Sequence, residues 1–530
     1  MTSACVRLTR ASLTRRLPSF RQFPLAAPAA VRDDCRLSAG ETTEGGLTRR
    51  GLIGAGAATG AGVVAARLPD AADAAPRKVD AIVIGAGLAG LAAADALRKQ
   101  GKSFVVLEAR NRVGGRTQNR SIGKGDVVEI GGQWVGPTQD RVLDLISDLG
   151  LETFPTFIDG ENLYYRSANP EPIRLQRYQG TIPPANPAAL GEVLLVITKL
   201  DSMAAEVPPE APWEAANATE WDSQTFETWK QDNTTTDEAR DLVDLAVEAI
   251  FAAEPRDLSL LHVLFYIAAA GSFNRLIDTA GGAQERRIVG GSQLIAIRLA
   301  KRLRPHVMLR SPVRSIKHGN GIVSVRAGGG TYEAKRAIIS IPPTLAGRIR
   351  YSPALPAGRD QLTQRVPMGS VIKCMAVYKE PFWRANGLSG MATSDTGPVK
   401  LTYDNSPSGE NPRGVLLGFI EGQEARELTS LSKAERKDAV LGSFERYFGS
   451  EARTGAREYL DKSWAEEVWT RGCYVGYAPP GVIVGYREAL REPVGRLHWA
   501  GTETATVWNG YLDGAIESGR RAAAEVLSEL

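Results

Sequence analysis

The chain has 530 residues, 43% of them apolar and 23% charged, with a formal net charge of only +4. That length allows two or three domains with a sizeable core, and the balanced charge gives no reason to expect nucleic acid or an anionic membrane as partner. The four cysteines, Cys5, Cys35, Cys374 and Cys473, and the four histidines show no disulfide framework, zinc spacing or metal-ligand cluster, so no metal site is expected.

Residues 1 to 75 do not read as fold. Met1 to Arg32 is rich in Arg and free of acids, and Thr48-Arg49-Arg50-Gly51-Leu52-Ile53 precedes a Gly- and Ala-rich apolar stretch to Ala66. Ala72-Asp73-Ala74 then offers small residues for cleavage. The segment resembles a twin-arginine export signal, which implies an exported protein, periplasmic or extracellular. An organellar transit peptide would also explain the acid-free start, and a cytoplasmic location is the alternative. The apolar stretch is too short and glycine-rich for a membrane span, and no apolar tail follows the last helix, so no membrane anchor is expected.

The organising unit of the chain is Val79 to Thr117. The apolar run Val79 to Ile84 suits a buried parallel strand. Gly85, Gly87 and Gly90 follow in G-x-G-x-x-G spacing, a helical stretch runs to Gln100, and a second strand, Phe104 to Leu107, ends at Glu108. This is a β-α-β unit with an acid about 20 residues past the glycines, as a dinucleotide site requires. Gly85 turns the chain out of the strand, Gly87 leaves the backbone open to a pyrophosphate, and Gly90 lets helix and sheet approach. The helix N-terminus meets the anion, and Glu108 accepts from ribose hydroxyls.

Further along, Val127 to Gly136 predicts one strand ending in glycines, and Val142 to Leu149 a helix. Phe154 to Pro209 reads as irregular and proline-rich, with a helix near Ala188 to Met203. Phe226 to Phe273 is largely helical. A glycine-rich return, Gly281 to Gly291, leads into a helix over Gln293 to Leu303. Strands are predicted at Val307 to Leu309, Val313 to Ile316, Ile322 to Arg326 and Ala337 to Ile341. From Val366 the segments VIKCMAVYK, VKLTYD and GVLLGFIEG alternate with turn residues, as in an antiparallel or mixed sheet. A helix over Ser432 to Phe448 follows, and the end of the chain returns to strand, loop and helix.

Several stretches carry a family resemblance. Arg110-Asn111-Arg112-Val113-Gly114-Gly115-Arg116-Thr117 resembles the Arg- and Gly-rich segment that follows the first unit in the flavin amine oxidase superfamily, which favours FAD over NAD. Gly131-Gly132-Gln133-Trp134-Val135-Gly136-Pro137-Thr138-Gln139, Gln284-Glu285-Arg286-Arg287, Val289-Gly290-Gly291, Ile341-Pro342-Pro343-Thr344-Leu345, Gly369-Ser370-Val371-Ile372-Lys373-Cys374 and Gly501 to Gly519 resemble monoamine oxidase motifs, in order, over residues 78 to 526. The resemblance implies an α/β protein with the two-domain flavin amine oxidase fold. A Rossmann-like FAD-binding domain (76–155, 281–345 and 490–530) would be interleaved with a mixed-sheet plus helical substrate domain (156–280 and 346–489). A homodimer is one open arrangement.

The resemblance also implies roles. Gly85, Gly87, Gly90, Glu108, Arg110, Gly115, Arg116, Gly132, Gln133, Trp134, Val313, Trp464, Gly501, Thr502, Glu503, Gly510 and Leu512 would hold FAD. Lys373, alone an ordinary lysine that snorkels to solvent, matches the family lysine that holds a water at flavin N5 and assists reoxidation by O2. Tyr474 and Tyr511 match the aromatic pair that admits a slim amine before the flavin. Cys473, in Trp469-Thr470-Arg471-Gly472-Cys473-Tyr474, matches the cysteine that forms a thioether to the flavin 8α-methyl; the alternative is a small buried thiol beside non-covalent FAD. Leu276, Ile277 and Gln284 align with the amine cavity, where Gly281-Gly282-Ala283-Gln284 carries one residue more than the family's Gly-Gly-Gln.

The implied reaction is oxidative deamination of a primary or secondary amine, with O2 reduced to H2O2. No side-chain base is evident, which suits hydride transfer. Polyamine, nicotine-type alkaloid and L-amino acid oxidases are the nearest rivals, and a flavin-binding interaction module without turnover is the different class.

Overall fold

Both ends of the described chain enter one eight-stranded sheet in the computed structural model, which describes residues 76–167, 174–319 and 321–530. The leader, with its twin-arginine expectation, lies outside the described residues. The sheet runs Val307–Met308, Phe104–Leu107, Arg77–Ile84, Gly330–Ile339, Ile322–Ala327, Val313–Gly319 and Arg350–Ser352, with Leu497–Trp499 beside Gly330–Ile339. Its centre is parallel: Ile82 pairs with Val105 on one side and Ala337 on the other. Such strands are covered on both faces and need continuous apolar sequence, which Ala81, Ile82, Val83, Val105 and Val106 supply at 0% exposure. Helix Leu88–Lys99 covers one face together with helix Leu512–Ser528. A Cβ on Gly519 would lie 2.1 Å from the Ala89 carbonyl oxygen, so the two helices are in backbone contact there. Arg350–Ser352 extends this sheet past residue 345, where the sequence reading closed that segment.

A seven-stranded mixed sheet stands apart, in the order Glu458–Ser463, Val371–Val377, Val415–Glu421, Leu401–Asp404, Leu388–Ser394, Glu161–Arg166 and Arg174–Tyr178. Helices Pro187–Ala204, Asp237–Phe251 and Leu260–Ala270 pack into an apolar layer with Trp508 and Val475. The described residues all fall in one compact unit, and among them no helix is long and apolar enough to cross a membrane.

Three expectations need correction. The single strand over Val127 to Gly136 is two, Asp126–Glu129 and Trp134–Val135. The chain must bend at Gly131, whose Cβ would sit 2.2 Å from the Arg116 carbonyl oxygen. The stretch from Phe154, expected to be irregular apart from its helix, holds Glu161–Arg166 and Arg174–Tyr178, an antiparallel pair at the end of the second sheet. Strands Leu388–Ser394 and Glu458–Ser463 were not expected either. In Glu458–Ser463, Asp461 and Lys462 break the apolar pattern, yet each finds a partner, Arg436 at 2.9 Å and Glu467 at 2.7 Å.

Candidate active site

The first βα turn is built for an anion. Helix Leu88–Lys99 begins at Gly87 with no side chain capping its N-terminus, so no side chain occupies its first amides at the positive end of its dipole. A Cβ on Gly87 would meet only the Gly115 Cα, at 3.9 Å, so two bare backbones border a slot. A Cβ on Gly90 would fall 2.0 Å from the Gly85 carbonyl oxygen, which no side chain can tolerate. Glu108 is buried and accepts from the backbone amides of Ala86 (2.8 Å) and Arg110 (2.9 Å). Arg110 also reaches Glu467 (3.4 Å) and Thr470.

The distant C-terminal segment closes the same region. Arg116 forms a two-pronged pair with Glu503, at 2.6 and 3.1 Å, and donates to the Tyr474 carbonyl at 2.9 Å. Burial pulls the Arg116 pKa down, but the Glu503 charge and hydrogen bonds outweigh it and raise it overall. Gly501 takes φ +123 and donates to Ser518, Thr502 donates to the Tyr511 carbonyl, and helix Leu512–Ser528 starts at Tyr511 without a side-chain cap. Two uncapped helix starts, a slot between glycines and a paired buried carboxylate fit a dinucleotide diphosphate and ribose. Val313 stands at the start of its strand, two residues past Ser311, whose amide donates to the Glu108 carbonyl at 2.7 Å.

Next to this region lies a cavity of about 250 Å³. Its wall brings together Gly132, Gln133, Trp134, Lys373, Trp464 and Cys473 from the sequence reading. Tyr474, Gly510, Tyr511 and Leu512 border it as well, as do Leu276, Ile277 and Gln284. Gly85, Gly87, Gly90, Glu108, Arg110, Gly115, Arg116, Val313, Gly501, Thr502 and Glu503 are not in this wall. The rest is mainly apolar, from the helical layer and the mixed sheet. The added Ala283 is itself buried cavity wall, its amide held by the Arg275 carbonyl.

Lys373 lies mid-strand and buried, and does not snorkel. Its ammonium donates to the Gly131 carbonyl at 2.8 Å and to Gln133 Oε1, with the Trp134 and Phe419 rings 5.7 and 5.8 Å away. Burial pulls its pKa down to about 7. Gln133 in turn donates to Asn405 at 2.7 Å, so the Gly131-Gln133 bend is fixed from two sides. Trp464 donates to the Ile130 carbonyl at 3.0 Å and holds the same bend. The Cys473 thiol is buried, and burial pushes its pKa up to about 12 although Arg116 opposes the shift. Tyr511 is gripped edge-on by Trp508 at 4.9 Å, and Tyr474 lies edge-on to Phe419 at 5.9 Å.

The sequence reading missed the carboxyls of this cavity. Tyr474 donates to Glu421 Oε1 at 2.6 Å, and Glu421, buried at the end of Val415–Glu421, is pushed up to about 8 by its burial. Glu248 also borders the cavity, paired with Lys400 at 2.8 Å. The one available signal was an acid closing the apolar run Val415 to Ile420.

A family profile described as "Flavin containing amine oxidoreductase" matches residues 88–527. The chain is 41% identical to the flavin-containing amine oxidase of Oncorhynchus mykiss over 456 residues, 85% of this chain and 86% of that one. The solved structure of a putrescine oxidase, wild type bound to putrescine, superposes with TM-score 0.82 at 37% identity, covering 86% of this chain and 100% of that one. Cyclohexylamine oxidase from Brevibacterium oxydans IH-35A gives TM-score 0.80 at 33% identity, covering 85% and 99%.

Proposed function

This chain belongs to the flavin-containing amine oxidoreductase family and is an FAD-dependent amine oxidase; we propose that its substrate is a slim primary monoamine, converted with O2 and water to aldehyde, ammonia and H2O2. One observation carries the substrate reading: the cavity is mainly apolar, and both lysines in its wall are occupied. Lys373 is held by Gly131 and Gln133, and Lys400 by Glu248 and Glu424. An amino acid substrate needs a cation for its carboxylate, and neither lysine is available for one. In a peroxide assay, n-hexylamine and benzylamine are expected to give product, and L-leucine none. Peroxide from L-leucine alone, from putrescine alone, or from none of the four would overturn the reading.

On this reading the two uncapped helix starts and Glu108 hold the dinucleotide. Bound FAD supplies the two-electron acceptor that oxidises the C–N bond and passes the electrons to O2. Tyr474 and Tyr511, each locked by an aromatic neighbour, restrict the amine's approach. The apolar wall strips it of water and favours its neutral form. Lys373 keeps a proton-bearing nitrogen at the cavity wall.

A covalent link between Cys473 and the flavin is part of the same reading. Its support is the cysteine's place in the cavity wall, on the residue next to Tyr474. Acid precipitation of the wild type should leave the yellow colour in the pellet. Cys473→Ala should release it to the supernatant while the native protein still binds FAD. Colour in the wild-type supernatant would refute the link. Export through the twin-arginine-like leader is also proposed, supported by Arg49-Arg50 and the weakly apolar stretch after them.

A further inference from the structure

Amines of this kind reach the site as ammonium ions, since a simple alkylammonium has a pKa of about 10. Oxidation needs the nitrogen lone pair, so a proton must leave before the C–H bond is broken. Expelling it to bulk water from a mainly apolar cavity is slow unless a base stands in the wall.

The cavity wall holds two carboxyls, Glu248 and Glu421. Glu248 is committed to Lys400, which it meets at 2.8 Å, and Lys400 is shared with Glu424 at 2.9 Å. Glu421 has no ion-pair partner among the described residues. One of its oxygens accepts from Tyr474 at 2.6 Å, and the other makes no hydrogen bond among the described residues. Glu421 pairs with Val371 at the end of an interior strand, so the carboxyl is presented from a fixed backbone.

Resting on the amine oxidase reading of this cavity, we propose that Glu421 is the group that takes the proton from the incoming ammonium, with Tyr474 holding it in place. In that step an N–H bond breaks and an O–H bond forms. The electron pair stays on nitrogen, and the carboxylate becomes a neutral acid. No oxidant or reductant is involved, and both buried charges are removed together, which an apolar cavity favours.

The surroundings suit the step. Glu248 and Glu424 push the Glu421 pKa up and Lys400 and the Tyr474 hydrogen bond pull it down, but burial is the largest influence and leaves it at about 8. Tyr403 lines the same wall, and Glu254 beyond Gly422 is paired with Arg426 at 2.7 Å. Because the shift is upward, the carboxylate form needed to accept a proton predominates above about pH 8, and its share falls as the pH drops below that.

The test uses the FAD-loaded enzyme, mixed without oxygen with whichever of n-hexylamine, benzylamine and putrescine it oxidises fastest. The second-order rate constant for bleaching of the yellow colour in the wild type should rise with pH along a limb near 8. In Glu421→Gln, which keeps an oxygen for Tyr474, the limb should move up by about 2 pH units toward the pKa of the amine itself. Below the limb the rate should fall roughly 100-fold, and above pH 10 it should approach the wild type. An unmoved limb, or an equal loss at every pH, would mean that Glu421 only buttresses Tyr474.

Cumylamine, which has no α-hydrogen and cannot be oxidised, gives a readout independent of turnover. Its binding to the wild type at pH 9 should raise a protonated-carboxyl band in the infrared difference spectrum. The band should shift in Glu421→Asp and vanish in Glu421→Gln; its absence in the wild type overturns the proposal even if a variant fails to fold. If none of the three amines is oxidised, the amine oxidase reading fails, and the infrared result still decides the role of Glu421.

Discussion

Lys373→Met is expected to lower oxygen consumption at saturating amine by about 10²–10³-fold, the scale of losing one preorganised charge at a reacting centre. Methionine keeps the length of the side chain, but removes the ammonium that lies over the Trp134 and Phe419 rings and donates to Gly131 and Gln133. The loss should fall on the oxygen-dependent step. Bleaching of the yellow colour by amine under nitrogen should slow far less. The pH dependence gives a second check. Burial lowers the lysine pKa to about 7, so the ammonium is present below that pH and lost above it. The oxygen step of the wild type should therefore weaken as pH rises through 7, and that of Lys373→Met should not respond. Oxygen consumption unchanged in the variant would remove Lys373 from the chemistry.

Arg287→Leu is expected to give the largest loss of stability, about 3–5 kcal/mol, because it strands a buried charge. Arg287 and Glu129 are 2% and 1% exposed and meet at 2.7 Å, and the second arm of the guanidinium donates to the Ser406 carbonyl at 2.9 Å. The pair ties Asp126–Glu129, just before the Gly131 bend, to Arg286–Ile288 and to the loop after Leu401–Asp404. Denaturant unfolding should show the midpoint of the single variant well below the wild type. The double variant Glu129→Leu/Arg287→Leu should recover most of the loss, because two apolar side chains need no partner. If the double variant were no more stable than the single one, the stranded charge would not be the cause.

The parts of the molecule that could be read from the sequence are those whose chemistry leaves one local solution. Gly85, Gly87 and Gly90 between two apolar runs specify a strand, a turn and a helix, and the structure places them so. Helix Lys433–Phe448 shows its start in Ser432 and Glu435, which form a reciprocal cap. The hairpin of Glu161–Arg166 and Arg174–Tyr178 was not legible because it lies at the end of its sheet, where charged and polar residues interrupt the alternation. Glu421 was passed over for a related reason. In sequence it is one acid before a glycine, the usual signature of a solvated strand end. Only the return of the chain at Tyr474 puts a phenol against it. Lys373 shows the limit from the other side: its strand is recognisable, but only the Gly131 bend, 242 residues away, explains how its ammonium can be buried.

The register of Gly330–Ile339 has a consequence for synthesis on the ribosome. Arg77–Ile84 is already available when this strand emerges, but Ala337 to Ile339 must wait for Leu497 to Trp499, 160 residues later by the pairing of Ala337 with Leu497. At about 5–20 residues per second the delay is roughly 8–32 s. For that time an apolar strand edge is open to any neighbouring nascent chain, so a chaperone that shields it should raise the yield of native protein more than one that acts after release.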